Sequence, residues 1–498
     1  MTIPFYFDAD LAPRCRRRGA AKKRLKQKVY RSPVGGAVED HFSRNSHCFR
    51  RKHEGIPNSG RKTMKRFLLF VFLFIVCISS FLFGADAAAT PVAANSGDIS
   101  WMLISSALVL LMTPGLAFFY GGLVKRKNIL GILMQCFMAM AVISLQWVLF
   151  GYSLSFAPGN GFIGGLSYVG LNHVGMEPCP FAPNIPHQAF VIFQMMFAII
   201  TPALIIGAFA ERMKFSAYLL FSILWATLVY NPLCHWVWGG GWLAQMGVAD
   251  FAGGIVVHIS AGFAALVMAL AIGKRRNHTL VPTPHNLPFT VLGAGLLWFG
   301  WFGFNAGSAL GANNVAISAF LSTNTAAAAA ALTWAIIEWI TMGKPTMLGT
   351  ATGAVAGLAT VTPASGYIGI WGAMAIGAST SLVCYFAVSA LKPKFNYDDT
   401  LDAFGVHGIG GLWGTIMTGL FASKLINPSG PNGLFSGNPK QLLVQIFGAL
   451  AAVVYTVTVT FVLYKLVDLM IGVRVDDKKE VLGLDVSEHN ERAYTLIE

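Results

Sequence analysis

The chain has 498 residues, 55% of them hydrophobic and only 12% charged, with a mean hydropathy of +0.60. A soluble domain carries about 25% charged residues, so a purely water-solvated globule is excluded. The net charge of +14 does not point to nucleic acid either: residues 1–66 hold 18 Lys and Arg against 5 Asp and Glu, which leaves +1 on the other 432.

The basic head "RCRRRGAAKKRLKQK" is followed by "MKRFLLFVFLFIVCISSFLFGADAAAT". A Lys-Arg start, an apolar core and Ala85-Asp86-Ala87 are the parts of a cleaved secretory leader. We therefore expect a signal peptide over 64–87 and an upstream extension without function over 1–63. A basic run of this kind also suits nucleic-acid or lipid contact, the weaker reading here. Left uncleaved, the apolar run 67–84 is short for a membrane span.

Eleven apolar stretches follow, over 99–123, 129–156, 188–210, 215–233, 251–272, 287–309, 313–340, 346–362, 367–390, 403–423 and 439–472. A helix of about 20 residues crosses a hydrocarbon core of about 30 Å. The expected fold is thus an all-α polytopic membrane protein of eleven transmembrane helices, with the lipid bilayer as its solvent and a membrane domain over 98–472. Lys and Arg collect in alternate loops, "KRKN", "ERMK", "GKRRNH", "GKP" and "KPK". By the positive-inside rule the first helix enters from outside, and the tail 473–498 is cytoplasmic.

Two stretches share a spacing. "DFAGGIVVHISAG" and "DTLDAFGVHGIGG" each put an Asp eight residues before a His, Asp250 before His258 and Asp399 before His407. Eight residues of helix rise about 12 Å, so neither Asp touches its own His. One motif enters from outside and the other from inside, which predicts two inverted sets of five helices plus one additional C-terminal helix. A His at mid-depth needs a partner or a cavity. Either the two imidazoles are neighbours in a narrow pore, or each is a packing residue bonded to a carbonyl one helix away. Neutral imidazoles, with one donor and one acceptor each, suit a small polar molecule or a passing proton better than a bare cation. Glu338 in "AIIEWI" reads as structural.

Aromatic residues crowd the outer half. Trp238 in "HWVWGGGW", with Phe193 and Phe197 in "FVIFQMMF", composes either an aromatic cup for a cation or an interfacial belt. Ring faces attract cations within about 6 Å, at about 0.5–2 kcal/mol, and the hydroxyl of Ser308 in "GWFGFNAGSA" is placed to accept a hydrogen bond from the same cation. Seven cysteines are scattered without a CxxC pair, Cys179 standing alone in a polar loop. No metal cluster, disulfide framework or cofactor motif is expected. HExxH, GxSxG and paired catalytic carboxylates are missing as well, so an enzyme is not expected.

"PGLAFFYGGLVKRKN", "DFAGGIVVHISAG", "GKRRNHTLVPTPHNLP", "GWFGFNAGSA", "FGVHGIGGLWG" and the tail "GLDVSEHNERAY" together resemble the Amt/Mep/Rh ammonium transporter family, bacterial Amt branch. The likeness runs from about residue 98 to 494 and leaves the head out. It implies a homotrimer in the bacterial inner membrane with one pore per subunit. It further implies recruitment of ammonium at Trp238, Phe197 and Ser308 with Phe193 alongside, and an outer gate of Phe197 and Phe304. His258 and His407 match the family's twin histidines. Asp250, Asp399 and its neighbour Asp402 match supporting carboxylates. Ammonia would cross with its proton moving separately. Methylammonium is a candidate substrate, and the tail a regulatory segment for a cytoplasmic PII nitrogen-regulatory protein. An ammonium sensor signalling through the tail is the alternative, although only residues 473–498 follow Gly472.

Overall fold

The computed structural model describes residues 95–276 and 284–494. The basic head 1–63, the expected leader 64–87 and the middle of "GKRRNHTLVPTPHNLP" lie outside the described residues. Helices fill each of the eleven apolar stretches: α1 Ser96–Leu123, α2 Ile129–Phe156, α3 His187–Phe209, α4 215–237, α5 Gly254–Ile272, α6 Leu287–Gly307, α7 Asn314–Met342, α8 Met347–Val361, α9 Ile370–Phe395, α10 404–421 and α11 Pro439–Ile471. Among the described residues nine helices are long and apolar enough to cross a bilayer, counting α4 together with the short helix that ends at Met246. The other two, α8 and α10, are shorter or less apolar. This is a mostly helical, multi-pass membrane protein. In hydrocarbon every backbone N–H and C=O must be satisfied within the protein, and a helix does so within one segment.

Local sequence sets the helix ends. The Asn95 side chain accepts from the backbone of Gly97 and Asp98 at the start of α1. Asn286 does the same for Phe289 in α6, whose first turn also holds a proline. Thr346 caps α8 through Gly349 and is itself held by Glu338, whose carboxylate accepts from the Thr346 backbone and hydroxyl. Glu338 is structural, as its position suggested. Gly343 ends α7 with a φ of 79°, a left-handed conformation that glycine adopts without a Cβ penalty.

One departure from an all-α chain lies between α2 and α3. Pro178–Cys179 (β1) pairs antiparallel with Ala182–Pro186 (β2). Cys179 is not in a solvated loop but fully buried. Phe181 explains the burial: its ring packs 5.2 Å from Phe156 and 5.7 Å from Phe190, pulling the hairpin tip into the helix ends.

At the opposite end of the bundle, where the Lys- and Arg-bearing loops gather, the tail folds back on the helices. Lys214 N–H donates to the Val473 carbonyl, and Val475 N–H to the Arg212 carbonyl. Two short helices follow, α12 Asp477–Leu482 and α13 Leu484–His489. Asp485 accepts from the Gly131 backbone and Leu484 N–H donates to Asn128, which docks the tail at the start of α2.

Candidate functional site

The two Asp–His motifs form matching local structures. In each, the residue three after the Asp has a left-handed φ, 118° at Gly253 and 58° at Asp402. A π-helical turn then carries the His: Gly254–Ile259 holds His258 and Phe404–Gly408 holds His407. Such wide turns concentrate at functional positions, because they re-aim side chains within an otherwise regular helix.

Glycines bring the two turns together. A Cβ on Gly262 would stand 2.0 Å from the Gly408 nitrogen, and one on Gly411 would stand 2.8 Å from the His258 Cβ. The helices α5 and α10 therefore cross backbone against backbone, closer than any side chain permits. This contact places the His258 and His407 rings 5.3 Å apart and 11° from parallel.

Both imidazoles face an apolar cavity. Its lining includes Leu116, Ile200, Leu204, Val257, Leu297 and Val406 besides the two histidines. Tyr120 and Trp301 also line it, with their polar atoms spent elsewhere: the Tyr120 hydroxyl donates to the Leu204 carbonyl and Trp301 Nε1 to Thr362. His258 Nδ1 and Nε2 and His407 Nδ1 are buried with no hydrogen-bond partner. Buried polar atoms are nearly always paired, so three unpaired ring nitrogens at one point mark a place built for something polar to visit.

The aromatic residues continue the same line. From Trp238 to Phe197 the ring centroids are 5.8 Å apart, from Phe197 to Phe304 4.3 Å, and from Phe304 to His258 6.0 Å. Phe193 flanks Phe197 at 5.0 Å. Trp238 Nε1 donates to the Asp250 carbonyl, which fixes the indole beside the first motif. The Ser308 hydroxyl donates to the Phe304 carbonyl and so leaves its oxygen lone pairs as acceptors. Trp238, Phe193, Phe197, Phe304, His258 and His407 thus fall on one column, with Asp250, Asp399 and Asp402 near the helix starts beside it, while Ser308 sits at the C-terminal end of α6 and is tied to the column through the Phe304 carbonyl.

The three carboxylates do different things. Asp250 is buried and accepts from four backbone N–H groups, those of Gly253, Gly254, Ile255 and Val256. It is the N-terminal cap of α5, with both oxygens occupied. Asp399 accepts from Phe404 N–H at 2.8 Å through Oδ2, while its Oδ1 is buried without a partner. Asp402 is paired with Lys392 at 2.6 Å.

Sequence reading missed the charged floor below. Arg212 is completely buried and donates to the carbonyls of Ala208, Ala210, Gly273 and Asp398 and to the Thr400 hydroxyl. Arg275 grips both Asp398 oxygens at 2.9 Å and reaches Glu211 at 2.8 Å. Burial pushes the Asp398 carboxyl up, but the hydrogen bonds from Arg275 and the charge of Arg212 outweigh it and hold it at about 2. Burial, opposed by the Asp398 charge and reinforced by the nearby charges of Arg275 and Arg474, lowers the Arg212 guanidinium to about 10, still charged at neutral pH. Trp301 was missed as well; it stacks on His258 at 5.6 Å and 20°. The only sequence signal for the floor was a pair of arginines in "ERMK" and "GKRRNH", which orientation reasoning had already absorbed.

Among the described residues no group of His, Cys, Asp and Glu is arranged to hold a metal ion. A model of the Ammonium Transporter Family matches residues 100–494. The chain is 54% identical to the ammonium transporter of Bacillus subtilis over 398 residues, 80% of this chain and 98% of that one. The crystal structure of Saccharomyces cerevisiae Mep2 superimposes with a TM-score of 0.73 at 37% identity, covering 78% of this chain and 89% of that one. A structure titled "Sensor Amt Protein" superimposes with a TM-score of 0.73 at 28% identity, covering 79% and 98%.

Proposed function

The chain belongs to the ammonium transporter family, and from that membership and the geometry of the site we propose that it carries ammonium across the membrane. The observation that carries this reading is the stacked His258–His407 pair, with its unpartnered ring nitrogens in an apolar cavity beneath the Phe197–Phe304 rings.

Ammonium and potassium are alike in size and charge, so a filter of carbonyl oxygens separates them poorly. What distinguishes them is that ammonium can lose a proton. In our reading Trp238, Phe197 and Ser308, with Phe193 alongside, recruit and partly desolvate the cation through ring faces and a hydroxyl acceptor. A full charge in the dry cavity below costs on the order of several kcal/mol. The proton therefore leaves, ammonia slips between Phe197 and Phe304, and the imidazoles offer it one donor and one acceptor each. The proton travels separately, through the ring nitrogens or water. Asp250, Asp399 and Asp402 serve as supporting carboxylates, and methylammonium is the natural probe of the same path.

The architecture we propose has eleven spans in two inverted sets of five, with α11 outside the repeat, the first helix entering from outside and the tail in the cytoplasm. The setting is a bacterial inner membrane, with a cleaved leader over 64–87. The assembly is a homotrimer with one pore per subunit, and the tail offers a surface to a PII regulatory protein.

Purified protein in proteoliposomes on a solid-supported membrane tests the core of this reading. An ammonium pulse should give a saturable current and a potassium pulse none. Flux no greater than in protein-free liposomes would remove transport and leave sensing as the function.

A further inference from the structure

Ser308 is the first residue after α6, and the turn that it opens toward α7 is held in a conformation that its sequence resists. Leu310 has a φ of 56°. In that left-handed region an L side chain crowds its own backbone, and only glycine sits there without cost. Gly311 is next in the chain, yet the positive φ falls on the leucine. Such a residue persists only where its surroundings over-determine it, and strain of this kind points to function.

Two side chains from other elements hold the turn. Asp98, in the first turn of α1, accepts from Ala312 N–H at 2.7 Å through Oδ1 and from the Asn184 amide at 2.9 Å through Oδ2. Asn184, in β2, also donates to the Leu310 carbonyl at 2.8 Å. The clamp thus grips the chain on both sides of Gly311. It lies so close there that a Cβ would stand 2.8 Å from the Asn184 nitrogen and 2.9 Å from Asp98 Oδ1. Nearer to α6, Leu310 N–H donates to the Gly307 carbonyl, and a Cβ on Gly307 would stand 2.8 Å from the Phe193 ring. Trp101 Nε1 donates to the Ala306 carbonyl and fixes the same stretch from α1. Ser308 lies between these two fastenings.

We propose that Asp98 and Asn184 are positioning residues for ammonium recruitment. By holding the Leu310 turn they set where the Ser308 hydroxyl stands relative to the Phe193 ring, and they act through Ser308, not on the cation itself. The outer hairpin, through β2, is thereby part of the recruitment site. This inference rests on the ammonium reading above.

A KM measured apart from the maximal current, in proteoliposomes, tests it. Asp98→Ala removes both acceptors, and Asn184→Ala removes both donated bonds. We expect either to raise the KM for ammonium about 2- to 10-fold, the range set by one net hydrogen bond, with maximal current and melting temperature close to wild type. Glycine takes the same φ without strain, so Leu310→Gly combined with Asp98→Ala should bring the KM back toward wild type. In a Ser308→Ala background, Asp98→Ala should add little, since both act on one contact. An unchanged KM in both alanine variants would overturn the proposal. So would a KM, current and melting temperature that worsen together and are not rescued by Leu310→Gly. Should one alanine variant fail to fold, the other decides by the same readings. Absence of flux in the wild type would instead remove the parent reading.

Discussion

Phe197 and Phe304 meet at 4.3 Å at one end of the cavity. Beyond its other end, Arg212, Asp398, Arg275 and Glu211 lock three loops together, with the tail laid across them. The first closure is made of dispersion contacts between rings. Parting them strands no polar group, and the cost is a fraction of their packing. The second is made of desolvated charges, and separating any one of them leaves its partner buried and uncompensated. The contrast teaches where motion belongs. Thermal opening is cheap at the aromatic end, while the charged end is a rigid base that holds α3, α5 and the start of α10 in register.

That contrast can be broken or sharpened by substitution. The largest effect is expected at the point between the two ends. Replacing His258 and His407 together by Leu should reduce ammonium uptake to the leak of empty vesicles; unchanged uptake would dissociate the ring column from transport altogether. Next comes the base. Arg212→Ala removes the cation from among its buried acceptors and should cost about 3–5 kcal/mol, seen as a lower melting temperature or loss of expression. A melting temperature equal to wild type would mean that the charged end is not the rigid one. Gly262→Ala adds a methyl where the Gly408 nitrogen already stands. Overpacking of this kind costs about 1–3 kcal/mol and should depress transport more than it depresses stability, because it spreads the two imidazoles.

Smaller effects belong to the aromatic end. Trp238→Leu removes one ring from the cation site, a loss of about 0.5–2 kcal/mol, read as a KM for ammonium raised about 2- to 30-fold with little change in melting temperature. Last is acid. Asp398 is held below the ordinary carboxylate range, so its contribution is complete above about pH 4 and fades as pH falls toward about 2. The melting temperature of the wild type should therefore drop below about pH 4. Asp398→Asn, already destabilised at neutral pH, should drop less; parallel curves would deny Asp398 that role.

The helices were legible because about 20 apolar residues in a row admit few other structures. The histidines were legible because an imidazole is expensive where Ile, Val and Ala surround it. What could not be read is whatever depends on two distant turns meeting. The sequence shows Gly262 and Gly411 as two glycines among many, and only the crossing of α5 and α10 reveals why neither tolerates a Cβ. Arg212 and Arg275 stand in loops, where charge ordinarily means solvent, so their burial was invisible. Two prolines and a phenylalanine around Cys179 gave no strand period, and the hairpin there follows from packing against Phe156 and Phe190. The spare oxygen of Asp399 was equally hidden. The two motifs share their spacing, but Gly253-Gly254 lets four N–H groups converge on one carboxylate, whereas Asp402-Ala403 does not.

Arg212 receives a hydrogen bond acceptor, the Asp398 carbonyl, from a residue made 186 positions later, and Asn128 waits 356 positions for the backbone of Leu484. During synthesis the guanidinium therefore meets the carbonyls of Ala208, Ala210 and Gly273 first and completes its set of acceptors only with Asp398 and Thr400, while the start of α2 gains its dock only when the tail emerges. Biogenesis of this protein ends with the closing of its base, so defects late in translation should be felt in helices that were inserted first.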